Sequence, residues 1–177
     1  MRPILAAVDM SRTASVVVNR AAEIASLIRG DLTILSVVGS DPTRISTIAE
    51  EKERAIKFHR ELIYKLFPSK AVTVESKSSD SSVYRYNPSG LRITSKVLSG
   101  STVDMICNYA DEIKADMVVV GNRGLGNAGM LVLGSVSEKV VTKSSRTVLV
   151  VKGGSSENSD WEAITGSQSG QYGIGTG

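Results

Sequence analysis

Short, unbroken apolar runs separated by amphipathic helical patterns constrain this chain more than any other feature. Ile4-Leu5-Ala6-Ala7-Val8 and Met117-Val118-Val119-Val120 contain no polar position. A strand solvated on one face alternates apolar with polar residues, so runs like these belong to strands covered on both faces. After the first run, Val17, Ala21, Ile24, Ala25 and Ile28 share one helical stripe, with Gly30 as the expected stop. Asp31 to Val38 predicts a second strand. Thr43 to Phe67 predicts a long helix with Ile45, Ile48, Ala55, Leu62 and Leu66 inward, and Glu50-Glu51-Lys52-Glu53-Arg54 as its solvated outer face. The alternation resumes with a strand at Leu91 to Leu98 and a helix at Ser101 to Lys114. It continues with the strand at Met117 to Val120, a helix from Ser135 to about Lys143, and a last strand at Thr147 to Val151. This order predicts an α/β fold, a doubly wound parallel sheet with helices on both faces, in one domain over residues 1–152.

Two segments depart from the alternation. Pro68 ends the long helix, and residues 69–90 hold two β-prone runs, Ala71 to Val74 and Val83 to Tyr86, around a serine-rich turn. With Asn87-Pro88-Ser89-Gly90 closing it, the segment predicts an inserted hairpin or extended loop. From Gly153 onward the chain is rich in glycine and serine, without a basic residue, and residues 153–177 are expected to be a disordered tail.

The chain's 177 residues suffice to bury a substantial core, and the 41% hydrophobic and 22% charged contents are those of a globular protein. No apolar run approaches membrane-spanning length, and the N-terminus lacks a secretory pattern; no membrane association and a cytoplasmic location are expected. The single cysteine cannot form an internal disulfide. Residues 1–152 carry 21 basic and 15 acidic side chains, a bias suited to anionic ligands but too weak and too scattered for nucleic acid.

The chemistry gathers where strands end. Gly121-Asn122-Arg123-Gly124 follows the Met117 strand directly, and Gly134-Ser135 comes nine residues later. Glycines let backbone N–H groups approach an anion, and a helix start presents further unpaired N–H donors. Ser135-Val136-Ser137-Glu138 also fits a capping box, which predicts Ser135 as the helix cap. Asp9 follows the first strand and so stands on the same sheet edge, where open α/β sheets bind ligands. The pattern predicts a phosphate cradle and a bound nucleotide. Gly124-Leu125-Gly126-Asn127-Ala128-Gly129 spells the dinucleotide fingerprint, but it neither follows a strand at once nor opens a helix, and this excludes NAD.

Gly121-x2-Gly124-x9-Gly134-Ser135, the following Val136 to Val141, the closing Val148 to Val151, and Ile4 to Asp9 with Ser11 together resemble the universal stress protein family. The resemblance covers residues 1–152 apart from 69–90. It implies a five-stranded doubly wound sheet and a homodimer through the last strand. The complete glycine pattern resembles the ATP-binding branch, which implies ATP, with Mg2+ or Mn2+ held through the phosphates. By position, Asp9 would face the ribose or a phosphate-bound metal, with backbone of Ala7, Val8 and Val38 near the adenine. Val120 with Gly121, Asn122, Arg123 and Gly124 would wrap ribose and phosphates, and Gly134, Ser135, Val136 and Ser137 would hold the phosphates. Met10 departs from the family's usual glycine, and the 69–90 segment is longer than usual.

Other candidates carry less. Ser11 is the expected cap of the first helix, leaving Asp9 for a ligand. Arg123 suits a phosphate contact or plain surface equally. Cys107 lies on an apolar stripe and reads as packing. His59, the one histidine, has no partner for a zinc site or a Cys/His pair. No G-x4-G-K-[ST] occurs, and no nucleophile or carboxylate pair stands out, so no catalytic residue or protein-bound metal site is expected. A nucleotide-dependent sensor in stress response is therefore the expected function. The alternatives are a slow ATPase, a module for AMP, ADP or cAMP, and a dimeric interaction module that needs no ligand.

Overall fold

The computed structural model describes residues 2–39, 47–122 and 133–152. In chain order these form β1 (Pro3–Ala7), α1 (Ala14–Leu27), β2 (Asp31–Val38), α2 (Ile48–Leu66), β3 (Val72–Lys77), β4 (Ser81–Tyr86), β5 (Leu91–Ser99), α3 (Thr102–Glu112), β6 (Met117–Asn122), α4 (Ser135–Lys143) and β7 (Thr147–Lys152). They build one sheet in the order β3-β4-β5-β2-β1-β6-β7. The five strands β5, β2, β1, β6 and β7 pair in parallel, as the alternation of apolar runs and helices predicts.

The sheet has seven strands rather than five. The 69–90 segment forms the hairpin β3–β4, and β4 pairs antiparallel with β5, extending the sheet at that edge. The added strands have an anchor: Tyr84 and Tyr86 alternate inward on β4 and are buried beneath α2. Tyr86 meets Phe67 with ring centroids 5.2 Å apart, and Tyr84 meets Tyr64 edge-on at 6.3 Å. The opposite side of the hairpin carries charge, with Glu75 paired to Arg85 and Asp80 to Lys96.

Helices α1 and α2 cover one face of the sheet, and α3 and α4 cover the other. One core lies under α1 and α2, with Ile4, Val18, Ile34 and Ile93 fully buried. Another lies under α3 and α4, around Leu5, Leu35, Ile106, Val118 and Val140. Cys107 is buried in α3, as its stripe predicts.

Local details correct several sequence expectations. Gly30 is not the left-handed stop of α1; Arg29 takes that conformation, with φ 52°, and Gly30 donates to the Ala25 carbonyl. Glycine stands at position 30 because a Cβ there would lie 2.1 Å from the Arg2 carbonyl oxygen. The long helix starts at Ile48, not Thr43, because Thr47 and Glu50 form a reciprocal capping box. Of its expected inner stripe, Ala55 and Leu62 are buried and Leu66 packs against the core, Ile45 lies outside the described residues, and the stripe holds polar members that were not expected. Glu51 and His59 are buried with Ala55, Leu62 and Ile63, while Ile48 is exposed. The expectation for the tail at 153–177 lies outside the described residues.

Candidate functional site

The strands β1 and β6 are neighbours, yet the chain leaves β1 toward β2 over one face and reaches β6 over the other. Strand order reverses at this point, and the carboxyl ends of the strands part there to leave a crevice. A cavity of about 370 Å³ occupies it, within the range of small-molecule sites. Ala7, Val8 and Asp9 line it from β1, Val38 from β2, and Val120 and Gly121 from β6. Gly134, Ser135, Val136 and Ser137 line it from the start of α4. Ten of the thirteen sequence-predicted site residues thus share one cavity. Asn122 is buried at the end of β6 and is not among the lining residues; its Oδ1 has no hydrogen-bond partner among the described residues. Arg123 and Gly124 lie outside the described residues.

The start of α4 differs from the expected capping box. Gly134, with φ −62° and ψ 146°, is the cap residue, and no side chain caps the helix. The hydroxyl of Ser137, in the first turn, donates instead to the Gly121 carbonyl at 2.7 Å. This ties α4 to the end of β6. The first intrahelical bond runs from Glu138 N–H to the Gly134 carbonyl at 2.9 Å. The N–H groups of Ser135, Val136 and Ser137 precede that bond, so they have no intrahelical acceptor and lie at the positive end of the helix. This donor set, on the cavity wall, suits phosphate oxygens.

On the β1 side, the Asp9 carboxylate accepts from Ser11 N–H at 3.1 Å, making a tight turn into α1. Ser11 is not the helix cap; Thr13 holds that position without a side-chain cap bond, and the two hydroxyls lie 2.7 Å apart. Gly121 packs against α1: a Cβ there would meet Val17 at 3.2 Å. Its lack of a side chain lets β6 and α1 close together at the floor of the crevice.

Below the cavity, a buried polar chain braces Val8. The Ser36 hydroxyl donates to the Val8 carbonyl at 2.8 Å, so it accepts from His59 Nε2–H, also at 2.8 Å. His59 Nδ1 then accepts from the Ser95 hydroxyl at 2.9 Å. Burial holds the His59 pKa down at about 4, so the ring is neutral at physiological pH. Val8 N–H also donates to the Leu35 carbonyl, so Val8 is held on both sides although β1 has ended.

Several lining residues escaped sequence reasoning: Ser36 on β2, Glu51 and Ala55 on α2, and Thr102 and Ile106 on α3. Glu51 contradicts the reading of its charged run as solvated surface, since it is only 4% exposed. The signal available was spacing: Glu51, Ala55 and His59 recur at every fourth position with Leu62 beyond, an inner stripe hidden by two polar members.

A doubly wound α/β domain with a cavity at its switch point, entered by an uncapped helix start, belongs to the open-sheet ligand-binding class. The model of the universal stress protein family matches residues 1–152, and the chain belongs to that family. Stress response protein NhaX of Bacillus subtilis is 43% identical over 56 residues, which are 32% of this chain and 34% of that protein. The matched stretch thus spans about a third of that relative's length. The universal stress protein of Archaeoglobus fulgidus in complex with dAMP superposes with a TM-score of 0.58 at 25% identity, over 86% of this chain and 98% of that one. A universal stress protein in complex with cAMP shares the fold, with a TM-score of 0.58 at 24% identity over 85% and 96% of the two chains.

Proposed function

We propose that the crevice binds an adenine nucleotide, with ATP as the physiological ligand, and that its occupancy makes the protein a nucleotide-dependent regulator in stress response. The observation that carries this reading is the start of α4, which no side chain caps and whose first-turn residues, with N–H groups that have no intrahelical acceptor, line the cavity at the β1/β6 switch point. A nucleotide would lay its phosphates along Gly134 to Ser137 and its sugar beside Asp9 and Gly121. Its base would reach toward Val8 and Val38. Mg2+ or Mn2+ would be held through the phosphates, with the Asp9 carboxylate as the nearest acidic group of the β1 end. The dAMP complex of the archaeal relative supports a nucleotide in this fold.

The dimer belongs to the same proposal. β7 is an edge strand whose Val148, Leu149, Val150 and Val151 are only partly buried. Apolar edge strands are commonly covered by a second chain.

Denaturing freshly purified protein and identifying the released small molecule by chromatography and mass tests the reading. ATP, ADP, AMP or cAMP near one per chain supports it and names the ligand. A protein that is empty and also fails to bind added ATP with magnesium overturns it. Following added ATP over hours then separates a sensor from a slow hydrolase. Gly134→Val should abolish binding by crowding the phosphate approach, while the backbone at φ −62° admits valine without strain.

A further inference from the structure

We infer that Glu51 is a specificity-determining residue of the cavity, one that accepts a hydrogen bond from the exocyclic amino group of the bound base. The inference rests on the nucleotide reading above and adds to it the orientation and chemistry of the base. The cavity is chemically polarised. At its β6 side stand the N–H donors of α4, suited to phosphate. Its other side lies over β2, two strand spacings away, about 10 Å. There Val38 and Ala55 form apolar wall, and Glu51 lines the cavity with its side chain only 5% exposed.

A carboxylate in that place repels phosphate, so the anionic end of a ligand is confined to the α4 side and the base to the β2 side. Arg54 lies 3.9 Å from Glu51 Oε1, one turn further along α2. A carboxylate has about four acceptor sites on its two oxygens and no donor. Glu51 can thus take an N–H from the cavity on one of these sites while keeping its partners within the protein on others. It favours a base edge that offers a donor and disfavours one that presents only acceptors, because two facing acceptors in a desolvated pocket leave both unsatisfied. Glu51 sits one turn before Ala55, and both line the cavity from α2.

The test compares ATP with purine riboside 5′-triphosphate, which lacks only the 6-amino group, by equilibrium binding to the full chain with magnesium. Wild type should bind ATP tighter by about tenfold or more, the worth of a hydrogen bond to a charged group. Glu51→Met, unbranched and of similar length, should bring ATP down to the affinity of the analogue and leave the analogue nearly unchanged. Glu51→Gln keeps an acceptor oxygen and should retain part of the preference; it also serves if the methionine variant does not fold. Equal binding of the two nucleotides by wild type, or equal loss of both in the variants, overturns the assignment and leaves Glu51 a structural residue. If wild type binds neither nucleotide, the nucleotide reading itself fails, and the Glu51 assignment falls with it.

Discussion

His59 shows how much a single buried side chain can decide. It is fully buried, donates through Nε2 to Ser36 and accepts at Nδ1 from Ser95. The folded state holds its pKa near 4, below the ordinary value of 6.5, so the unfolded chain binds the extra proton between those limits. Stability is therefore complete above pH 6.5 and is lost as the pH falls toward 4. The loss should reach about 2–3 kcal/mol near pH 4.5, seen as a lower urea midpoint, and His59→Gln should flatten this pH dependence. Ser36→Ala should cost about 1–3 kcal/mol, since it leaves the ring N–H and the Val8 carbonyl without their partner. Asp9→Ala should weaken nucleotide binding without abolishing it. An unchanged dissociation constant would confine Asp9 to shaping the turn at Ser11.

The helices differ in how they end, and the differences carry consequences. α2 is closed by the Thr47–Glu50 capping box, so Thr47→Ala should lower stability by about 1 kcal/mol in denaturant unfolding. α4 has no side-chain cap, which leaves its donors to the cavity. The C-termini of α1 and α3 share one device: Arg29 and Lys114 both adopt φ 52°, and the next residue donates five positions back, to Ala25 and Ala110. The left-handed conformation strains a side chain with a Cβ. Lys114→Gly should therefore stabilise the protein by up to about 1 kcal/mol, read as a higher denaturation midpoint. β3 and β4 hold to the sheet through tyrosines rather than through a helix of their own. Tyr86→Ala, which empties the contact with Phe67, should cost about 3–5 kcal/mol and loosen the hairpin first in hydrogen exchange.

At the scale of the whole molecule the sheet has two dissimilar edges, the exposed, polar β3 and the apolar β7. Association through β7 should show in sedimentation equilibrium as twice the 18.8 kDa chain mass, and Val150→Asp should shift the protein toward monomer. The parallel sheet, its helices and the crevice were legible because runs such as Ile4 to Val8 and Met117 to Val120 are apolar without interruption, and such runs need cover on both faces. Asp9, Gly121 and Gly134, which line one cavity, were legible as a candidate site because each adjoins a strand end or helix start, which is a local property of the chain. The cap of α4 was not. Serine and glycine both suit that position, and the Ser137 hydroxyl turned instead to a carbonyl on β6. Hydropathy could not show that Glu51 and His59 face inward, since it sends charged and polar residues to solvent; only their spacing with Ala55 and Leu62 pointed there. Only the tertiary structure supplied Ser36, Ser95 and the cavity that let polar groups lie within. Sequence by itself determined which segments must be buried; the packing of distant strands decided which polar groups are buried with them, because their partners lie far apart along the chain.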